Sequence, residues 1–345
     1  MTRDAETPEP SRRVRLPLVI GLGVAIAAAG WTAVWATARG RILAEIDGRL
    51  AVLATQGVVV ACADREIGGY PFRMELACRS PGVEIRARGL TASAQALRVV
   101  AQVWDPRLVL VEVDGPGIAT TSGDETSAKW RLLRVSLRWA GDGVQRLSLS
   151  VDGLDLTAKP VEKPPVHVAA EHLEAHARPH GEGGRNLDLA TALAGASLTI
   201  ADKRIGPARA DLSVSTTLVD FLPPGPGAPL PAFAARGGRI EPTKLSFAVG
   251  GIVVEGDGAL VLDGDGVLDG MITLVARGLE TLANGGAKGL GPELTTVLSG
   301  FVLLGKASKD ADRPGRRLEM IVDHGLVRIG RVTLGRIAPL FAAGS

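Results

Sequence analysis

Arg134-Val-Ser-Leu-Arg-Trp-Ala-Gly-Asp-Gly-Val-Gln-Arg-Leu-Ser-Leu-Ser-Val151 decides the fold class of this chain. Val135, Leu137 and Trp139 alternate with Arg134, Ser136 and Arg138; after the Ala140-Gly-Asp-Gly143 turn, Leu147, Leu149 and Val151 alternate with Ser148 and Ser150. Period-two alternation on both sides of a glycine-bearing turn specifies an antiparallel hairpin with one apolar and one wet face.

The same pattern extends outward in both directions. Strand-like runs occur at Leu108 to Val113, Leu212 to Leu218, Leu245 to Val249, Ile252 to Val254, Leu260 to Leu262, Met271 to Val275, Leu318 to Val322 and Val327 to Leu334. Asp-Gly follows many of them, at Asp114-Gly115, Asp152-Gly153, Asp257-Gly258, Asp263-Gly264 and Asp265-Gly266, and such pairs suit the positive φ of hairpin turns. Asp263, Asp265 and Asp269 are spaced almost like a calcium loop, but no Glu closes the loop at the required distance, so turns explain them better. One helix interrupts the strands: Leu294, Val297, Leu298, Phe301 and Leu304 form a stripe at i, i+3, i+4 spacing after Pro292. Pro223-Pro-Gly-Pro-Gly-Ala-Pro-Leu-Pro231 reads as an exposed loop, being unfit for a helix or a central strand. The expected fold is mainly β: an antiparallel, curved sheet with one or two packed helices, divided by the 223–231 loop into β-rich regions at 58–222 and 232–345. The second region either continues the first sheet or forms a subdomain.

The first part of the chain is different. No charged residue occurs from Leu16 to Ala38, while Arg12, Arg13 and Arg15 precede this run and Arg39 and Arg41 follow it. A helix of that length spans roughly 34 Å, enough for a hydrocarbon core of about 30 Å. Trp31 and Trp35 lie near its C-terminal end, where indoles favour the headgroup interface. The basic tail, residues 1–15 with Arg3, Arg12, Arg13 and Arg15, favours an N-terminus on the cytoplasmic side. Ala36-Thr37-Ala38 has the small-x-small form of a signal-peptide cleavage site. Against cleavage, Ile42, Ile46, Leu50 and Leu53 continue the helical spacing, with Glu45 and Arg49 as an i,i+4 pair. One helix is therefore expected, transmembrane over 16–38 and amphipathic over 39–57.

The only two cysteines, Cys62 and Cys78, both follow this segment and are placed symmetrically about Tyr70 in Gly69-Tyr70-Pro71. A hairpin turning there brings them opposite one another, and an exported location permits the disulfide.

Composition excludes more than it identifies. The chain of 345 residues has 39 basic and 37 acidic residues, with arginines scattered singly, which argues against a nucleic-acid partner. The motifs GxSxG, GxxxxGK and GxGxxG in a strand-turn-helix setting are absent, and nothing implies a cofactor. His167, His172, His176 and His180, with Glu174, are the one suggestive polar cluster; the spacing suits a helix face or a strand face equally, without HExxH order, and a solvated strand face fits better than a metal site. No catalytic set is evident, and a non-enzyme is expected.

Gly68-Gly69-Tyr70-Pro71-Phe72-Arg-Met-Glu-Leu-Ala-Cys78, Ala101-Gln-Val-Trp104-Asp-Pro106-Arg-Leu-Val-Leu110 and Ala276-Arg-Gly-Leu-Glu280 resemble an uncharacterised bacterial family, domain of unknown function 2125. The resemblance covers most of the chain and implies a Gram-negative inner-membrane anchor with a periplasmic body, without an established activity. A looser likeness is to the AsmA-like lipid-transport group. Tyr70, Pro71 and Phe72 read most simply as turn and core residues, and Trp104 with Pro106 as a packing corner between strand and loop. The expected partners are the membrane and lipid acyl chains held on the sheet, or another envelope protein that uses this chain as a scaffold.

Overall fold

The computed structural model describes residues 15–121, 124–141, 143–161, 164–180, 185–222, 229–282, 292–308 and 314–340. Nearly all of the N-terminal tail, 1–15, lies outside them. The chain begins with α1 (Arg15–Thr55), a single unbroken helix. Residues 17–55 are long and apolar enough to cross a membrane, and none of the apolar window is buried. Past the apolar run the helix leans on the sheet, where Leu43, Ile46, Leu50 and Leu53 are half-buried and Arg65 reaches Asp47 at 2.7 Å.

The strands that follow are β1 (Val58–Gly68), β2 (Arg73–Ile85), β3 (Leu90–Ser93), β4 (Ala96–Gln102), β5 (Asp105–Asp114), β6 (Gly117–Thr121), β7 (Asp124–Lys129), β8 (Leu132–Ala140) and β9 (Gly143–Lys159). Then come β10 (Val166–His180), β11 (Asn186–Ile200), β12 (Lys203–Val219), helix α2 (Pro229–Ala235), β13 (Gly238–Val249), β14 (Ile252–Leu262) and β15 (Leu268–Arg277). The last elements are helix α3 (Pro292–Leu304), β16 (Lys306–Ala307), β17 (Arg316–Asp323), β18 (Leu326–Ile329) and β19 (Val332–Arg336). Among the described residues all nineteen strands belong to one sheet, and every pairing is antiparallel.

The sheet is a long meander with a split near its start. From β1 and β2 it runs along two tracks, β4-β5-β8 and β3-β6-β7, which rejoin at the long strand β9. From β9 it continues through β10, β11, β12, β13, β14, β15, β17 and β18 to β19. Pairing of β12 with β13 carries the sheet across the 223–231 segment.

A crease crosses the first part of the sheet. Asp64 on β1, Ser80 on β2, Gly153 on β9 and Gly195 on β11 all have φ between 46° and 62°. Between β2 and β9 the same line is the gap between the two tracks, bridged by Ser80 N–H to Gln95 O at 2.9 Å, Gln95 N–H to Asp114 O at 3.0 Å and Arg131 N–H to Asp152 O at 2.8 Å. Apolar residues change parity there: Leu147, Leu149 and Val151 become Leu154 and Leu156 on β9, and Leu187, Leu189 and Leu193 become Ala196, Leu198 and Ile200 on β11. A residue in the left-handed region reverses the alternation locally. The two reversals cancel, keeping the apolar side chains on one face. At Gly195 the requirement is doubled, since a Cβ there would also lie 2.7 Å from the Glu171 side chain.

Several expectations need correction. Asp152-Gly153 and Asp257-Gly258 are not hairpin turns but lie inside β9 and β14, so Ile252 to Val254 and Leu260 to Leu262 belong to one strand. Asp263 does make a turn, its Oδ1 accepting from the backbone N–H groups of Asp265 at 3.0 Å and Val267 at 2.8 Å. Val327 to Leu334 is not one strand: the backbone turns at Gly330, φ 58°, between β18 and β19. The end of the proline-rich segment is helical, because Pro229 and Pro231 fall in the first turn of α2, where a missing N–H costs nothing; residues 223–228 lie outside the described part. The stripe on α3 holds for Leu298 and Phe301, both about 1% exposed, whereas Leu304 is half exposed; the side chains of Leu294 and Val297 are outside the described part.

Candidate functional site

The register lays three rows of largely apolar side chains across the sheet. Directly paired residues of an antiparallel sheet share a face, so each row is one continuous strip. The first runs Cys78, Leu97, Val113, Leu133, Val151, Leu173, Leu193, Leu212 and Phe247. The second runs Leu76, Val99, Val111, Val135, Leu149, Ala175, Thr191, Val214 and Leu245. The third runs Met74, Ala101, Val109, Leu137, Leu147, Ala177, Leu189 and Thr216. From β2 to β12 the rows cross about 34 Å of sheet at the usual inter-strand spacing.

The opposite face is wet. Arg98, Glu112, Arg134, Ser150 and Glu174 form its corresponding row, with Arg134 paired to Glu112 at 2.9 Å and Arg98 to Glu75 at 3.1 Å.

The apolar face is treated differently at its two ends. Over β13 to β18 it is roofed: Phe301 and Leu298 of α3 pack on clusters containing Ile272, Leu274, Leu318, Ile329, Val249 and Ile252, and Phe233 of α2 is buried against Leu262. Over β2 to β12, only Cys78 and Val151 among the row residues are buried, and the others stay partly exposed. Among the described residues nothing roofs this strip, so a continuous apolar surface is left uncovered on one face of the sheet.

At the β2 end the face meets α1. A cavity of about 760 Å³ lies between Trp31, Val34, Trp35, Ala38 and Ile42 of the helix and Met74, Ala101, Val109 and Trp139 of the sheet, with Glu45, Arg49 and Gln102 supplying its polar part. The β1–β2 turn fastens the helix there. Trp31 Nε1–H donates to Pro71 O at 2.9 Å, Trp35 Nε1–H to Arg73 O at 3.4 Å, Thr32 Oγ1 bonds the Tyr70 hydroxyl at 2.8 Å, and the Trp35 and Tyr70 rings meet edge to face at 5.4 Å.

Of the residues singled out from sequence, Gly69, Tyr70, Pro71, Phe72, Trp104 and Pro106 gather at this junction. Gly69 has φ 96°, and a Cβ on it would lie 2.6 Å from Arg73 O. Tyr70-Pro71 is a cis peptide. Phe72 and Trp104 are not core residues: they are 61% and 67% exposed, with ring centroids 6.2 Å apart, on neighbouring hairpin tips. Pro106 lines the cavity. Cys62 and Cys78 are joined in a disulfide with Cα atoms 5.5 Å apart, at the bulge where the β1–β2 register shifts. From sequence, Trp31 and Trp35 are singled out for a headgroup interface and not for these hydrogen bonds to the β1–β2 turn, and their partners on the hairpins have no periodic signal.

The histidines lie on the wet face of β10, as the strand reading expects. His172 Nδ1 is 2.6 Å from Asp152 Oδ1 and its Nε2 is 3.0 Å from Glu174 Oε1, while His176 Nδ1 is 2.9 Å from Ser148 Oγ. Hydrogen bonds that the protonated His172 ring donates to Glu174 and then to Asp152 raise its pKa above 6.5, and the bond accepted from His172 lowers that of Glu174. The neighbours of His172 are thus ion-pairing carboxylates already engaged. Among the described residues the donors close enough to share a metal ion are instead Asp269 at the start of β15, Asp323 at the end of β17 and the exposed His324 after it, where Asp269 Oδ1 already accepts from the His324 backbone N–H at 2.7 Å.

No curated protein and no solved structure matches the chain, so the looser likeness to AsmA-like proteins finds no counterpart there. A family model does match, over residues 35–338, which include Trp35 and the hairpin side of the junction, both cysteines and all of the described sheet, but not Trp31, Thr32 or Val34. The chain belongs to this family, described as an uncharacterized protein conserved in bacteria, DUF2125.

Proposed function

We propose that this protein is a single-pass inner-membrane protein whose periplasmic sheet holds lipid acyl chains on its unroofed face and handles them within the cell envelope. One observation carries the reading: three strips of apolar side chains cross β2 to β12 uncovered, while the same face is sealed by α2 and α3 farther on. A sheet built only to be stable would roof the whole face, because uncovered apolar area forgoes about 25 cal/mol per Å². The occupant is lipid because the open strip starts beside the helix that is apolar enough to span a bilayer, so acyl chains are the apolar ligand nearest to it. Non-cleavage after Ala38 is supported by the contacts of Trp31, Thr32 and Trp35 with the β1–β2 turn, which a cleaved chain would lose. The Cys62–Cys78 disulfide favours an oxidising compartment. The test is native mass spectrometry of full-length protein extracted with its membrane: co-purifying phospholipid is expected, and protein that stays empty across several detergents overturns the reading.

A scaffold role is the second reading, favoured by β19. Its residues are all exposed, and among the described strands it pairs on one side only, with β18, leaving an edge on which another protein's strand could pair.

A further inference from the structure

The hairpin tips at Phe72 and Trp104 show two large aromatic side chains turned to the outside, against the usual rule for such residues, and beside the helix that is long and apolar enough to cross a membrane. Their level along that helix is fixed by hydrogen bonds. Pro71 O accepts from Trp31, which is seven residues, or about 10 Å, before the end of the uncharged run at Ala38. Tyr70 bonds Thr32 at nearly the same level. If α1 spans the bilayer, the β1–β2 tip cannot stand clear of the surface. It must lie inside the apolar zone, and the exposed rings of Phe72 and Trp104 are what that zone accepts. Charge agrees with this placement: from Gly68 to Phe72 there is no ionisable group except Tyr70, and the nearest cation, Arg73, pairs with Glu75 at 2.9 Å.

We propose that the β1–β2 and β4–β5 hairpin tips are immersed in the same leaflet as the C-terminal end of the transmembrane run, with Phe72 and Trp104 among the acyl chains. The cavity between α1 and the sheet then opens sideways into that leaflet. Val34 and Ala38 form its wall on the helix side and Met74 and Val109 on the sheet side, while Glu45 and Arg49, paired at 2.6 Å, close its far end with polar groups at headgroup height. At about 760 Å³ it falls within the range of small-ligand sites. An acyl chain leaving the leaflet would enter it tail first and continue onto the third apolar row through Val109 and Leu137. This last step rests on the lipid-holding function proposed above, whereas immersion of the tips does not.

The experiment uses the full-length chain in phospholipid nanodiscs under non-reducing conditions. Nitroxide labels on Phe72→Cys and Trp104→Cys, made separately, are compared with one on Leu303→Cys, an 80% exposed position on α3. The expected result is loss of access to a water-soluble nickel complex at 72 and 104, with oxygen access retained, and full nickel access at 303. Nickel access at 72 and 104 equal to that at 303 overturns the immersion. Because the replaced side chains are exposed, the fold does not depend on either. A second arm places photoactivatable p-benzoylphenylalanine at position 109 in the cavity and at position 149 in the middle of the open face. Lipid adducts at both positions support the route; an adduct at 109 alone keeps the lateral opening and sinks the lipid-holding sheet; adducts at neither overturn the cavity's role even when the tips are shielded.

Discussion

His172 stands between two carboxylates on the wet face, and its protonated form is what they favour. Its folded pKa is raised above 6.5, so this stabilisation is complete below about pH 6.5 and disappears as pH rises through the raised value. Glu174 is shifted down from 4.5, so its contribution is present above about pH 4.5 and disappears as pH falls through the lowered value. The gap in melting temperature between the native chain and His172→Gln is therefore expected to be widest between those limits and to narrow toward pH 8. A gap that widens with pH would contradict the pairing. At the other residue-scale fastening, Cys62→Ser with Cys78→Ser removes a cross-link over a sequence separation of 16, which costs about 3 kcal/mol in the chain-entropy estimate. Denaturant unfolding of the oxidised protein and the double variant measures it.

At the scale of elements, a helix on the sheet has a plain cost when its anchor is removed. Phe301 is buried beneath α3 among Ile272, Leu274, Leu318 and Ile329, and Phe301→Ala is expected to destabilise the roofed end by about 3 to 5 kcal/mol in urea unfolding. The sequence showed α3 through its apolar stripe, and showed the Arg134 to Val151 hairpin, realised as β8 and β9, because one-sided burial writes its period directly into the residue order. It hid β11. Leu187 to Ile200 is rich in Ala and Leu, which favour helices in isolation, and pairing along both β10 and β12 overrides that preference. Asp152-Gly153 and Asp257-Gly258 mislead for a related reason: a positive-φ pair serves a crease or a close approach between strands as readily as a turn, and only the partner strand distinguishes them. At Gly258 a Cβ would lie 2.2 Å from Met271 O, a contact between backbones that local sequence does not record. The junction was half legible. The positions of Trp31 and Trp35 near the end of the apolar run are read along one helix, whereas their bonds to the β1–β2 turn and the exposure of Phe72 and Trp104 depend on which hairpins lie beside it.

For the whole molecule, the decisive property is that one face is roofed at one end and open at the other, and the same substitution should have opposite consequences at the two ends. Val135 is half-buried in the middle of the second row, flanked by Val111 on β5 and Leu149 on β8's other neighbour, β9. Leu274 is buried at 9% exposure under α3. Leu274→Asp places an unpaired charge in a closed core, with an expected cost of at least about 3 kcal/mol and loss of the cooperative transition. Val135→Asp leaves its carboxylate within reach of water once the face is empty, so the expected cost is under about 1.5 kcal/mol. Lipid binding reverses the ranking, because a charge in the strip meets acyl chains directly: lipid recovered with Val135→Asp should fall at least several-fold. Thermal melts and lipid mass spectrometry on the two variants separate the cases. If Val135→Asp unfolds the protein as severely as Leu274→Asp does, the open end is a closed core after all, and the three rows are packing with no room for a ligand.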